Sequence, residues 1–155
     1  MKKLIWIIAT LFVTVCFSTA ALAASEANTD DELRQIAKIM ISGKEIPPDC
    51  IKQAKGDPKG MIEIARLDST QDFVVSSTDN ACCMGARRCA QWVYGKNKAG
   101  KYQKLLGPFF PDEIVSSQVL TNGKSNIIVK YPGGNTYAPS QQFYRFDGKR
   151  YQLIP

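Results

Sequence analysis

Histidine is absent from all 155 residues. Without an imidazole there is no Ser-His-Asp or Cys-His nucleophile system and no imidazole-based metal site. Long basic runs are missing too. Lysine and arginine are spread along the chain, with local groups only at Arg87-Arg88 and Lys96/Lys98/Lys101, so the net charge of +6 is not a nucleic-acid signature. No Cys-x-x-Cys pair of the thiol-oxidoreductase kind occurs, and no Ser-x-x-Lys stands at a recognisable helix start. The one extended apolar run, Leu4 to Phe17, falls short of the ~20 residues a spanning helix needs.

What that run does carry is the pattern of a secretory signal peptide. Lys2 and Lys3 precede it, and the small-residue stretch Ser18 to Ala24 closes it. Ala21-Leu22-Ala23 fits the small-x-small rule, so residues 1–23 are expected to be removed and 24–155 to form a single mature domain in the periplasm or outside the cell. An uncleaved anchor is the alternative, but the polar, acidic segment from Ser25 to Glu32 follows without a stop-transfer cluster. Cys16 lies inside the apolar core behind a branched Val15, a poor lipid-attachment site. Loss of Lys2 and Lys3 lowers the net charge to +4, which permits an anionic partner without requiring one. No integral membrane segment is expected after cleavage.

Cys50, Cys82, Cys83 and Cys89 then remain, an even number in an exported chain, which reads as two disulfides. A bond between the adjacent Cys82 and Cys83 is disfavoured by geometry, which leaves Cys89 with one of them and Cys50 with the other. The pairing favoured here is Cys83–Cys89 with Cys50–Cys82. A four-cysteine zinc site is the competing reading and needs all four thiolates reduced. No cofactor and no metal are expected.

Thr29-Asp30-Asp31-Glu32 reads as a capping box opening a helix over roughly 30–42, with the apolar stripe Leu33, Ile36, Ala37 and Met40. Gly43 and Pro47-Pro48 end it, and a short turn is expected at Cys50 to Ala54. From about 61 to 154 the period changes to that of strands. The predicted segments are Met61–Leu67, Asp72–Ser77, Ala90–Tyr94, Tyr102–Leu106, Ile114–Leu120, Asn126–Tyr131, Gln142–Phe146 and Tyr151–Ile154. Asn97 to Gly100, Asn122-Gly123 and Asp147-Gly148 supply turn chemistry, and the connections are too short for helical crossovers. The fold class is therefore mainly β with an N-terminal helix (α+β): an antiparallel meander, sandwich or partial barrel of about eight short strands.

Ile46-Pro47-Pro48-Asp49-Cys50, Ile64 to Asp68, Cys83 to Cys89 followed by Gln91-Trp92-Val93-Tyr94, Gly100 to Leu106, and Tyr144 to Tyr151 resemble the framework of small, mostly uncharacterised periplasmic proteins of bacteria. The likeness covers most of the mature chain, and its motifs are structural. It implies export and a β-hairpin fold and carries no catalytic residue. Members of that group show an acidic Asp-Gly turn after the first strand. Here the turn Leu67 to Asp72 holds only Asp68 and Asp72 without glycine, a weak basis for calcium.

Asp68, Asp72, Asp112 and Glu113 are acids of the β region away from turns and helix starts, candidate material for a carboxylate-dependent hydrolase. As solubilising charges they need no such role. Aromatic residues offer more to a binding surface. Strand alternation places Trp92 with Tyr94 and Tyr144 with Phe146, and one face of each pair is a candidate contact. Phe109 and Phe110 sit between Pro108 and Pro111, as a plug over the core or a recognition loop. The cysteine-bearing loop tipped by Arg87 and Arg88 suits carboxylates or phosphates. The expected function is a non-catalytic binding or inhibitor-type module contacting a protein partner. The alternatives are an envelope-associated protein that binds wall polymer, and the hydrolase.

Overall fold

The structure, a computed structural model, describes residues 29–67, 72–78, 82–83, 89–133 and 138–155. The expected signal peptide, Asp68, and the loop carrying Arg87 and Arg88 lie outside the described residues. Helix α1 covers 29–42. Leu33, Ile36, Ala37 and Met40, the expected stripe, are all buried. Residue 29 is itself helical, so Thr29 is not the N-cap and Glu32 does not close a capping box. The Glu32 carboxylate instead accepts from Tyr102 Oη at 2.9 Å and from Arg66 Nη2 at 3.4 Å, tying the helix to the sheet below it. Helix α2, Pro48–Gln53, begins at a proline, whose missing N–H costs nothing at a first helical position.

Eight strands follow, close to their predicted places: β1 Ile62–Arg66, β2 Phe73–Ser77, β3 Gln91–Lys96, β4 Tyr102–Phe109, β5 Glu113–Thr121, β6 Lys124–Tyr131, β7 Ser140–Phe146 and β8 Tyr151–Leu153. They form two antiparallel four-stranded meanders, ordered β1-β2-β3-β4 and β5-β6-β7-β8. Turn chemistry sets the registers. Asn122 and Gly123 both hold positive φ between the paired Thr121 and Lys124, the requirement of a two-residue type I′ hairpin. Asp147 closes the β7–β8 turn by accepting from the amides of Lys149 and Arg150 at 2.8 and 2.9 Å.

Side-chain alternation divides the interior into two cores. On one face of the first sheet, Ile62, Phe73, Val75, Trp92, Tyr94 and Tyr102 pack against the apolar side of α1 together with Ile46 and Cys50. Val93 and Leu105, from the opposite face, pack with Ile114, Ile127, Val129, Tyr144, Phe146 and Tyr151 of the second sheet. The layers are thus helix, sheet, sheet, a sandwich whose first sheet carries the helices outside. Strand β3 is covered on both sides, which is why four consecutive residues, Trp92 to Gly95, are all buried.

The disulfides are Cys50–Cys82 and Cys83–Cys89, the favoured pairing. With the sulfurs joined in pairs, no thiolate is left for the zinc alternative. Two disulfides fit a compartment outside the cytoplasm. Among the described residues no helix is long and apolar enough to cross a membrane.

Candidate functional site

In a meander, alternate connections fall at the same end of the sheet. The described turns after β3, β5 and β7 therefore share one end of the sandwich. The β2–β3 connection with its disulfides, the β4–β5 connection and the β6–β7 connection share the other. At the first end the β3–β4, β5–β6 and β7–β8 turns surround an open groove of about 1040 Å³, lined by cations from all three: Lys96, Lys98, Lys104, Lys124, Lys149 and Arg150. Among the described residues the one carboxylate on its wall is Asp147.

These cations fall into two sets. Lys124 Nζ lies 2.5 Å from Asp72 Oδ1, inside the sandwich, where Asp72 is fully buried and also accepts from Tyr151 Oη at 3.3 Å. Lys104 pairs with Glu45, and Lys96 Nζ lies 3.8 Å from Glu32. The same Glu45 accepts from Trp92 Nε1 at 3.1 Å. Lys98, Lys149 and Arg150 form the second set: among the described residues no carboxylate lies within ion-pair distance of them, and all three are exposed. Asp147 is committed to the backbone. The amides of Arg150 and Lys149, then the Gln152 side chain and the nearby charge of Arg150, hold its carboxyl below the usual aspartate range.

Local sequence explains the rigidity of the rim. Asn97 Oδ1 accepts from the amides of Ala99 and Lys101 at 2.9 and 3.1 Å, and Gly100 takes positive φ, so the β3–β4 turn is braced from within. Gln103 Nε2 donates to Lys149 O at 3.2 Å, which joins this turn to the β7–β8 turn of the other sheet. Asn122 Nδ2 donates to Phe146 O at 2.9 Å and ties the β5–β6 turn to the same place. Gly95 leaves room behind the groove: a Cβ there would lie 2.1 Å from Asp72 Oδ1.

The residues singled out from the sequence are placed elsewhere. Trp92 and Tyr94 are 3 % and 1 % exposed, in the core beneath the helices, so they offer no contact surface. Alternation assigned them one face correctly, but a strand covered on both sides has no outer face. Tyr144 and Phe146 are buried in the second core because they share the inner face of β7, whose outer face carries the exposed Phe143 and Arg145. Phe109 does not stand in a connector: Gly107-Pro108-Phe109 belongs to β4, and the Phe109 ring packs 5.8 Å from Tyr144. Phe110 alone is exposed, at 47 %. Both phenylalanines lie at the disulfide end, opposite the groove.

The acids do not assemble into a catalytic pair among the described residues. Asp72 is engaged by Lys124 and Tyr151 at the groove end. Asp112, just before β5, and Glu113, its first residue, lie at the opposite end, exposed, with Glu113 2.8 Å from Lys130. The groove itself escaped the sequence reading because its cations come from three turns about 25 residues apart. A usable signal was present: lysines flank each of the predicted turns at Asn97, Asn122 and Asp147, and a meander brings alternate turns together.

No protein-family profile, no curated protein and no solved structure matches the chain.

Proposed function

We propose that the protein is an exported, periplasmic binding module of the inhibitor type, without catalysis, that grips an acidic surface of a protein partner in the groove at its hairpin-turn end. One observation carries the reading. Three turns from two sheets converge on one end of a braced sandwich and present Lys98, Lys149 and Arg150 with no ion-pair partner among the described residues. Loops grouped at the end of a rigid β scaffold are a recurring way to build a recognition surface. Unpaired cations around a concavity focus the field on an incoming anion and speed its association. The lining favours a protein carboxylate surface over a sugar polymer. The one aromatic among its described lining residues, Phe146, is 6 % exposed and lies under Lys124, so it provides no platform for stacking a sugar ring.

The test is a pull-down from periplasmic and secreted extracts with the oxidised mature protein, beside the triple variant Lys98→Glu, Lys149→Glu, Arg150→Glu. A single stoichiometric protein held by the wild type, lost by the variant and released as salt rises supports the reading. Retention of that protein by the variant removes the groove from it. Recovery of wall fragments alone transfers the function to envelope polymer binding.

A further inference from the structure

The basic groove does not stop at the turns. Lys104 and Arg150 on its wall also line a second groove of about 450 Å³, which runs between Lys104 to Phe109 of β4 on one side and Arg150 with Tyr151 and Gln152 of β8 on the other. These are the outermost strands of the two sheets on one side of the sandwich. Among the described residues β4 pairs only with β3, so alternate N–H and C=O groups along its other edge meet no backbone partner. β4 is eight residues long, roughly 26 Å at ~3.3 Å per residue. The channel thus leads from a cluster of unpaired cations, along an open strand edge, to Phe109 at the far end of the molecule.

We propose that this channel receives an extended acidic segment of the partner, which adds to the edge of β4 as a fifth strand and places its carboxylates in the basic groove. The proposal rests on the groove being the contact surface. Main-chain bonding to a free edge supplies affinity without regard to sequence, and the charged end supplies selection. Charge decides the occupant. A second copy of this chain would bring the same Lys98, Lys149 and Arg150 to the same edge, and like charges oppose that pairing.

The experiment uses the oxidised mature protein and an acetylated decapeptide of alternating glutamate and threonine. Two further versions are N-methylated on one or the other alternate set of residues, and poly-L-glutamate serves as the charge control. A strand added to one edge uses the amides of one alternate set only. Methylation of that set is expected to weaken binding by about tenfold or more while methylation of the other leaves it near that of the parent. Amide shifts along β4 should accompany binding of the parent peptide. Equal behaviour of the two methylated sets, or no binding of the parent decapeptide, overturns strand addition. If poly-L-glutamate still binds in a manner abolished by the triple charge reversal, the groove reading stands without it. If poly-L-glutamate fails as well, both fall.

Discussion

Asp72 shows how one side chain can join two layers. It starts β2 in the first sheet, is fully buried, and meets Lys124 of β6 and Tyr151 of β8 in the second sheet, with Gly95 beside it because no larger residue fits. Lys124 is itself only 13 % exposed, so the pair is well removed from water and neither charge has an easy alternative. Asp72→Asn should therefore cost about 3 kcal/mol by leaving the ammonium uncompensated, and adding Lys124→Met should recover most of that loss. Urea denaturation of the two variants decides it, and a single-variant cost below ~1 kcal/mol would remove the pair from the account of stability. Nothing in the sequence distinguished Asp72 from the other acids of the β region. Burial of a carboxylate depends on a cation and a phenol that arrive from 52 and 79 residues away.

Elements were far more legible than sites. Helix α1 and all eight strands follow from apolar period and turn residues, because each signal is local: a 3.6-residue stripe, a two-residue alternation, an Asn-Gly pair that accepts positive φ. The disulfide pairing was legible only in part: adjacency of Cys82 and Cys83 removes one of three pairings, and of the two it leaves, the structure has the favoured one. Which face of β3 is open was not legible, as that depends on the second sheet, assembled from residues later in the chain. At this scale the Cys50–Cys82 bond is the staple with the longer reach, closing a 32-residue separation between α2 and the β2–β3 connection. Cys50→Ser should lower stability by about 2–4 kcal/mol and leave Cys82 as a free, buried thiol. A thermal melt with thiol titration before and after unfolding checks it. A melting curve that matches the wild type would show that the staple adds nothing the cores do not already supply.

For the molecule as a whole, tyrosines on both cores set an alkaline limit. Burial first, then the Glu45 charge, holds the Tyr94 phenol above its usual value; burial first, then Glu32 by hydrogen bond and charge, does the same for Tyr102. Tyr131 and Tyr144 are raised by burial as well. A raised folded pKa means that the folded state keeps protons the unfolded chain gives up. The contribution is thus complete below the unfolded value of 10.0 and is lost as pH climbs above it. Urea midpoints measured from about pH 8 to pH 11 should hold level and then fall, with Tyr102→Phe softening the fall. A flat profile through that range would contradict the burial of these phenols.

The separation of the two ends has a further consequence. Cysteines and α2 brace one end, while the groove is framed by turn residues such as Lys98, Ala99, Lys149 and Arg150, which are exposed and belong to neither core. Substitutions there are free of the packing constraints that bind β3, so ligand preference is able to drift while folding is conserved. The same scaffold is in that sense ready-made for diversification: its stapled end holds the shape, and its turns are positions at which a lineage, or a display library, can explore new partners.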